Sequence, residues 1–234
     1  MAENKPVDEN YETLTQAYER IRHSHDAQAL HEIARQPLPQ RSDQSAFSRA
    51  TALLEAVAGN LTTPVEDRIY LGQEMPFPNV LVKLSSDPDP RVREAVAANA
   101  NDKNWLVGQL TKDPEQRVRT AALLNPQTSW KMRLEGAQDA NTSVEALEYL
   151  AKQGLGEDAK GPTILATMVR HAVALNPTSP RELVESLKND PEEDVRRAVK
   201  RRLEKGATEK VVTPLPVQSV PGRGPIGLRS ADES

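Results

Sequence analysis

The stretch DPDPRVREAVAAN, residues 87–99, contains a short phrase that recurs along the chain. The phrase is a valine that is followed, in most copies, by arginine, a variable residue and alanine. Its copies begin at Val92, Val118, Val144, Val169 and Val195, so consecutive copies are 25 or 26 residues apart. A fixed period of this kind is typical of a solenoid, in which each unit buries its apolar face only against its neighbours. The sequence therefore predicts a stack of short repeated units.

Signals for helix starts precede several copies of the phrase. Asp-Pro pairs begin at Asp87, Asp113 and Asp190, where the aspartate is expected to cap a helix and the proline to occupy its first turn. Thr63-Pro64-Val65-Glu66 has the pattern of a capping box, in which the threonine caps the helix and the glutamate reaches back to it. These signals predict that the units are helical and that the fold class is all-α.

Asparagine marks the end of the first helix in each of three units, at Asn99, Asn125 and Asn176. We interpret these residues as structural, because asparagine tolerates the backbone geometry of a helix end and can bond free backbone groups between units. A second short helix then has only about half a unit of chain available, so some of these segments are expected to be 3₁₀ helices.

The regions outside the phrase divide the chain further. Leu53, Ala56 and Asn60 have the spacing of a degenerate copy within a helical region that is expected to cap the stack. Four parts are predicted: disordered residues 1–10, a helical N-terminal cap at 11–77, the solenoid at 78–206, and a disordered Pro/Gly-rich tail at 207–234. A loop is also predicted from Lys152 to Gly161, where glycines and a proline replace the helix-start signal of the fourth unit.

Composition excludes several kinds of chemistry. The chain has 234 residues and a formal net charge of −4, and it contains no cysteine, which rules out disulfides, thiolate zinc sites and a cysteine nucleophile. Neither a phosphate-binding glycine loop nor a catalytic sequence motif is present, so we expect a non-enzymatic protein without cofactor or bound metal. No secretory signal and no membrane span are predicted, and we expect a cytoplasmic protein.

The wording of residues 87–99, followed by a leucine-bearing segment and a further Asp-Pro, resembles the leucine-rich repeat variant family. The resemblance covers roughly residues 78–206 and implies a right-handed superhelix of alternating α and 3₁₀ helices. Some members carry a cysteine-rich iron–sulfur module, which this cysteine-free chain cannot contain. The family implies no shared reaction. Similarity to HEAT-like helical-repeat proteins, including DNA glycosylases, is more distant and concerns architecture alone.

The arginine of the repeated phrase forms a predicted column along the stack. We call Arg93, Arg119, Arg170 and Arg196 the arginine ladder; Glu145 interrupts it. These guanidinium groups could bind an acidic or phosphorylated peptide or a nucleic-acid backbone. Alternatively, each arginine could bond acidic or carbonyl groups of the adjacent unit and hold the stack together.

Two tryptophans, Trp105 and Trp130, occupy nearly equivalent positions in consecutive units. If exposed, they could anchor a peptide or stack on a base, and if buried they belong to the core between units. We therefore expect a scaffold that binds a protein or peptide partner through one face of the solenoid. The alternative is nucleic-acid binding through the arginine ladder; a glycosylase-like activity is a third hypothesis, with no basic cleft in the sequence to support it.

Overall fold

A computed structural model describes residues 12–101, 105–156 and 163–209 of the chain. Within these ranges every regular element is helical, as the sequence predicts, and the 3₁₀ helix Leu187–Asn189 stands beside the α-helices. The α-helices are α1 Leu14–Arg22, α2 Ala27–Arg35, α3 Gln44–Ala58, α4 Val65–Glu74, α5 Pro78–Leu84, α6 Pro90–Ala98, α7 Val107–Leu110, α8 Gln116–Leu124, α9 Trp130–Gln138, α10 Val144–Leu150, α11 Thr163–Leu175, α12 Arg181–Ser186 and α13 Glu193–Glu209.

The most extensive contacts between helices form two series. In the first, α4 packs along α6 and α6 along α8, and in the second α9 packs along α11 and α11 along α13. Each series has its own apolar core: one cluster of buried side chains extends from α1 to α8, and another from α9 to α13. At the junction, Gly136 of α9 lies so close to α8 that a Cβ atom there would be 2.5 Å from Leu123 Cδ2. The missing side chain thus allows the second series to approach the first.

Buried asparagines join the end of one helix to the end of the next. The Asn99 Nδ2 donates to the carbonyl oxygens of Gly72 and Met75 at 2.8 and 3.1 Å, and Asn125 Nδ2 donates in the same way to Ala97 and Asn99. These carbonyl groups lie at helix C-termini, where the helix itself provides no donor. The structural interpretation of the asparagines is confirmed.

The same bonds identify α9 as the helix that takes the place of the third copy of the phrase. Asn176 Nδ2 donates to the carbonyls of Ala137 and Asp139, at the end of α9. Thr142 follows Asp139 by three residues and donates to the Gly136 carbonyl at 2.7 Å, as Thr128 does to Ala122 after Asn125. The expectation that Val144 fills the third position is wrong.

Val144 lies at the start of α10 with 42% of its surface exposed, whereas Val92, Val118, Val169 and Val195 are fully buried. The physical reason is that α9 already supplies the apolar face that packs on α11. The spacing of 26 residues between Val118 and Val144 therefore does not mark equivalent positions.

Four predicted helix caps, Thr63, Asp87, Asp113 and Asp190, differ in the structure. The Thr63 hydroxyl donates to the Val57 carbonyl at 2.7 Å instead of capping α4, which has no side-chain cap. Asp113 lies two residues before the N-cap of α8, Glu115, and its carboxylate accepts the Glu115 N–H. Among the Asp-Pro aspartates, Asp89 does cap its helix, α6. Asp87, Asp113 and Asp190, which do not cap a helix, instead pair with Arg68, Arg93 and Arg170.

Several predicted boundaries fall partly or wholly outside the described ranges. The predicted disordered residues 1–10 and most of the tail, from residue 210, lie outside them. Helix α13 continues to Glu209, three residues into the predicted tail. Residues 152–156 of the predicted loop contain no helix, with Gly154 and Gly156 at positive φ, and residues 157–161 are not described.

Candidate functional site

Two ladder arginines bind aspartates of the following unit. Arg93 Nε and Nη2 donate to the two carboxylate oxygens of Asp113 at 2.8 and 3.0 Å. Arg170 forms the same forked pair with Asp190, at 2.7 and 3.1 Å, and both side chains are buried. In each pair the aspartate follows the arginine by 20 residues. Planar forked pairing of this kind fixes geometry as well as charge, so these two arginines link α6 to the segment before α8 and α11 to the segment before α13.

The remaining ladder arginines bind backbone oxygens. Arg119 Nη1 donates to the carbonyls of Asp113 and Pro114 at 2.8 and 2.7 Å. Arg196 Nη1 donates to the equivalent carbonyls of Asp190 and Pro191 at 2.6 and 2.7 Å. In the described part of the chain, neither arginine has a carboxylate as an ion-pair partner. All four ladder arginines thus contact the chain itself, in line with the second interpretation of the ladder.

The pairing is electrostatically favourable at neutral pH. Burial alone would raise the pKa of the Asp113 carboxyl, but hydrogen bonds from the Arg93 guanidinium and the Glu115 N–H bring it below its ordinary value. Because this pKa is depressed in the folded state, the pair stabilises the fold above the unfolded pKa of aspartate. That contribution is lost as the pH falls through the folded pKa.

Two further arginines share this arrangement, although the repeated phrase does not reveal them. Arg68 pairs with Asp87 while both are buried, but Asp67 stands where the phrase has valine. Arg133 of α9 is buried, and its Nη1 donates to Gln153 Oε1, again 20 residues later, at 2.5 Å. A side-chain partner 19 residues after Arg68 and 20 residues after Arg133, rather than the valine, is the sequence signal that both share with Arg93 and Arg170.

Arg133 has the least complete set of hydrogen-bond partners among these arginines. Gln153 replaces the aspartate, and Arg133 Nε is buried without a hydrogen-bond partner. The guanidinium lies over the Trp130 ring, with its central carbon 5.0 Å from the ring centroid, and at 6.0 Å from that of Tyr149. Burial lowers the pKa of Arg133. A charge is therefore held here by aromatic faces and neutral oxygens.

We expect Gln153→Glu to raise the free energy of unfolding by about 1 kcal/mol, because a carboxylate would replace the neutral acceptor of a buried guanidinium. This value allows for loss of the Gln153 Nε2 bond to the Tyr149 carbonyl. Urea denaturation at pH 7 measures the change. Gln109→Glu, at an exposed position of α7, is the control and should stay within about 0.5 kcal/mol of the parent. A Gln153→Glu protein no more stable than this control would contradict the role given to Arg133.

The two tryptophans have different environments. Trp105 precedes α7 and has 60% of its surface exposed. Trp130 begins α9, is half-buried, and packs against the second core. Of the two environments considered for the tryptophans, Trp130 has the buried one, in the core, and Trp105 has the exposed one.

The largest cavity described lies along α11, between α9 and α13. It has a volume of about 600 Å³ and is open to solvent. Leu134 and Gln138 contribute one wall, and Asp194, Arg197 and Arg201 the other. We call this cavity the α11 groove. Sequence patterns did not identify it.

Apolar side chains form the floor of the α11 groove and continue beyond it. Met168 and Leu175 line the groove with 44% and 37% of their surfaces exposed, and Ile164, one turn before Met168, is 75% exposed. His171 lies between them, so the four residues have the spacing of a single helix face. The opposite face of α11, with Val169 and Val173, is buried. Helix α11 is therefore apolar on both faces, which a helix with only one packed side does not require.

The rim of the groove carries charge. Arg197 pairs with Glu193 and Asp194 of its own helix, at 2.6 and 3.6 Å. Arg201, one turn later, is exposed and has no ion-pair partner in the ranges that the structure describes. The groove thus combines an apolar floor with one available cation at its edge.

Other possible sites give little support for chemistry. His31 Nδ1 lies 2.8 Å from the buried Asp67 carboxylate, which also accepts from Arg35, so this histidine belongs to an ion-pair network. Within the residues described, no group of three His, Asp or Glu side chains is placed to hold a metal. No described helix combines the length and apolar character needed to cross a membrane. Comparisons of the chain with protein-family models, curated proteins and solved structures each found no match.

Proposed function

We propose that the protein is a non-enzymatic scaffold whose α11 groove binds an amphipathic helix of a partner protein. The observation that carries this proposal is the apolar second face of α11, where Ile164, Met168 and Leu175 are exposed along one stripe. We also propose that the stacked helices follow the right-handed superhelix implied by the resemblance to the leucine-rich repeat variant family. The repeated asparagine and arginine contacts between successive helices support this arrangement.

The groove suits a helix by its shape and chemistry. A helix that enters a groove typically buries apolar side chains at intervals of three and four residues, which matches the spacing of Ile164, Met168 and Leu175. Its acidic side chains would face Arg201, the available cation on the rim. The partner is therefore a helix with an apolar stripe flanked by Asp or Glu. Nucleic-acid binding loses its main support, because the ladder arginines already bond to this chain.

Site-specific photocrosslinking in cells tests this proposal. A photoreactive residue at Met168 is compared with one at Val82, which lies on α5 and is exposed to a similar extent, 41%. We expect a crosslink at Met168 that maps to a partner segment with helical apolar spacing and flanking acids. Equal crosslinking at both positions, or mapped segments without that spacing, would contradict the proposal.

The mapped segment, made as a synthetic peptide, then allows a measurement of affinity. Met168→Glu is expected to raise Kd at least tenfold, because it places a charge on an apolar surface that binding must desolvate. Val82→Glu is the matched control and should leave Kd unchanged. Fluorescence anisotropy at 150 mM salt measures both. A Met168→Glu protein that binds like the control would remove the groove from the interface.

A further inference from the structure

The last member of the arginine ladder lies at a second, separate surface. Arg196, Lys188 and Lys200 surround the side chains of Val199 and Leu203, beside a cavity of about 440 Å³ that also borders Glu204. We call Lys188, Arg196, Val199, Lys200 and Leu203 the end surface. It is formed by α13 and by the 3₁₀ helix before it, on the last helix of the second series.

The contacts of Arg93 indicate what the Nε and Nη2 atoms of Arg196 can bind. In Arg93, Nη1 donates to the carbonyls of Asp87 and Pro88, while Nε and Nη2 hold the Asp113 carboxylate. Arg196 uses Nη1 in the same way, on Asp190 and Pro191. Its Nε and Nη2 form the edge with which Arg93 and Arg170 donate to an aspartate of the next unit. Arg119 uses this edge only for a long bond from Nη2 to the Asn141 carbonyl, at 3.4 Å.

The chain that the structure describes provides no such aspartate. The paired aspartate follows its arginine by 20 residues at Arg93 and Arg170, and the residue 20 positions after Arg196 is Pro216. A proline side chain cannot accept a hydrogen bond. Within the residues that the structure describes, the end surface thus resembles an internal stacking surface without a neighbour.

The charge and polarity of the end surface indicate which kind of molecule would bind there. Lys188, Arg196 and Lys200 outnumber Glu204, and the lysines make only long contacts with acids, 3.8 Å from Glu185 and 3.9 Å from Glu204. Val199 and Leu203 lie between these cations. Val199 is 2% exposed and Leu203 is half-buried, and both belong to the second core. An acidic helix would pair with the cations and cover the exposed part of Leu203, which a phosphate backbone would leave uncovered.

We propose that the end surface binds an acidic helical segment of a partner protein, which continues the stack by placing an aspartate carboxylate on the Nε–Nη2 edge of Arg196 and an apolar side chain on the exposed part of Leu203. This site is distinct from the α11 groove. Its failure would leave the groove proposal intact, and the reverse also holds.

A peptide copied from the chain itself provides the probe. Residues 84–99 contain Asp87, which pairs with Arg68, and helix α6, which packs on α4; the segment has three acidic and two basic residues. Titration of this peptide into the full-length protein, followed by NMR of the arginine Nε–Hε groups and of the Val199 and Leu203 methyl groups, reports binding. A peptide with Asp87→Asn is the matched control. We expect the aspartate peptide to bind about tenfold more tightly than the asparagine peptide.

Variants of the protein assign this preference to Arg196. Arg196→Lys keeps the charge but removes the planar fork, and should abolish the preference for the aspartate peptide. Lys200→Glu should weaken both peptides and leaves the backbone contacts of Arg196 in place, which keeps the test valid if Arg196→Lys reduces stability. Arg117→Lys, on α8, and Met168→Glu, in the groove, should change neither affinity.

Several results would overturn the proposal. Equal affinity for the two peptides, or a preference that persists in Arg196→Lys, would exclude carboxylate recognition by this arginine. Binding that appears only after removal of residues 210–234 would show that the chain's own C-terminal segment occupies the surface. Concentration-dependent self-association that is lost in Lys200→Glu, measured by sedimentation, would identify a second copy of the chain as the occupant.

Discussion

Arg170→Met is expected to lower the free energy of unfolding by about 3–5 kcal/mol, because it leaves the Asp190 carboxylate buried without its partner. Arg170 is 1% exposed and donates two hydrogen bonds to Asp190, at 2.7 and 3.1 Å. Its Nη1 also donates to the Gln153 carbonyl at 2.7 Å, so the substitution removes a link between α11 and the chain that precedes it. Guanidinium chloride denaturation at pH 7 measures the loss.

Arg117→Met is the control for this prediction. Arg117 pairs with Glu94 on the surface, where the two side chains are 51% and 32% exposed, and exposed pairs contribute at most about 1 kcal/mol. A double variant, Arg170→Met with Asp190→Leu, should recover part of the loss, because no charge then remains buried. If Arg170→Met costs no more than Arg117→Met, the burial of this pair does not determine stability.

The predictions made from sequence succeed where the signal is local. Helices α6, α8 and α13 begin close to the predicted positions, because helix-start signals depend on neighbouring residues. The buried asparagines follow for the same reason, since a helix end always has free carbonyl groups nearby. The fold class was accessible from these patterns.

The function of the arginine ladder depends on contacts that are distant in sequence. Arg93 and Asp113 are 20 residues apart, and the valine phrase around Arg93 does not reveal whether a carboxylate reaches it. The sequence alone therefore does not distinguish between the two interpretations of the arginine ladder. Arg133 was missed because methionine precedes it and Asp139 stands at the asparagine position, although the pairing distance is kept.

The α11 groove escaped sequence reasoning for a different reason. An apolar residue such as Met168 or Leu175 is expected inside a helical core, and only the arrangement of α9 and α13 leaves this face uncovered. The end surface likewise depends on which helix is last in its series. Whether an apolar side chain is core or interface is decided by neighbours that the local sequence does not specify.

The valines of the repeated phrase give the sharpest contrast between sequence and structure, because Val118 and Val144 are equivalent by spacing but differ in burial. Val118→Asp is expected to lower the free energy of unfolding by more than about 4 kcal/mol, since Val118 is fully buried in the first core and the charge would have no partner there. A loss of this size is comparable to the whole stability of many domains.

Val144→Asp should change stability by less than about 0.5 kcal/mol. Val144 is 42% exposed at the first position of α10, where a negative charge interacts favourably with the helix dipole. Thermal unfolding of the two variants, followed by circular dichroism, compares them directly. Similar losses for both would restore the 26-residue register and remove α9 from the third position. A loss for Val118→Asp alone means that hydrogen bonds between helix ends, rather than the spacing of valines, identify the equivalent helices in this stack.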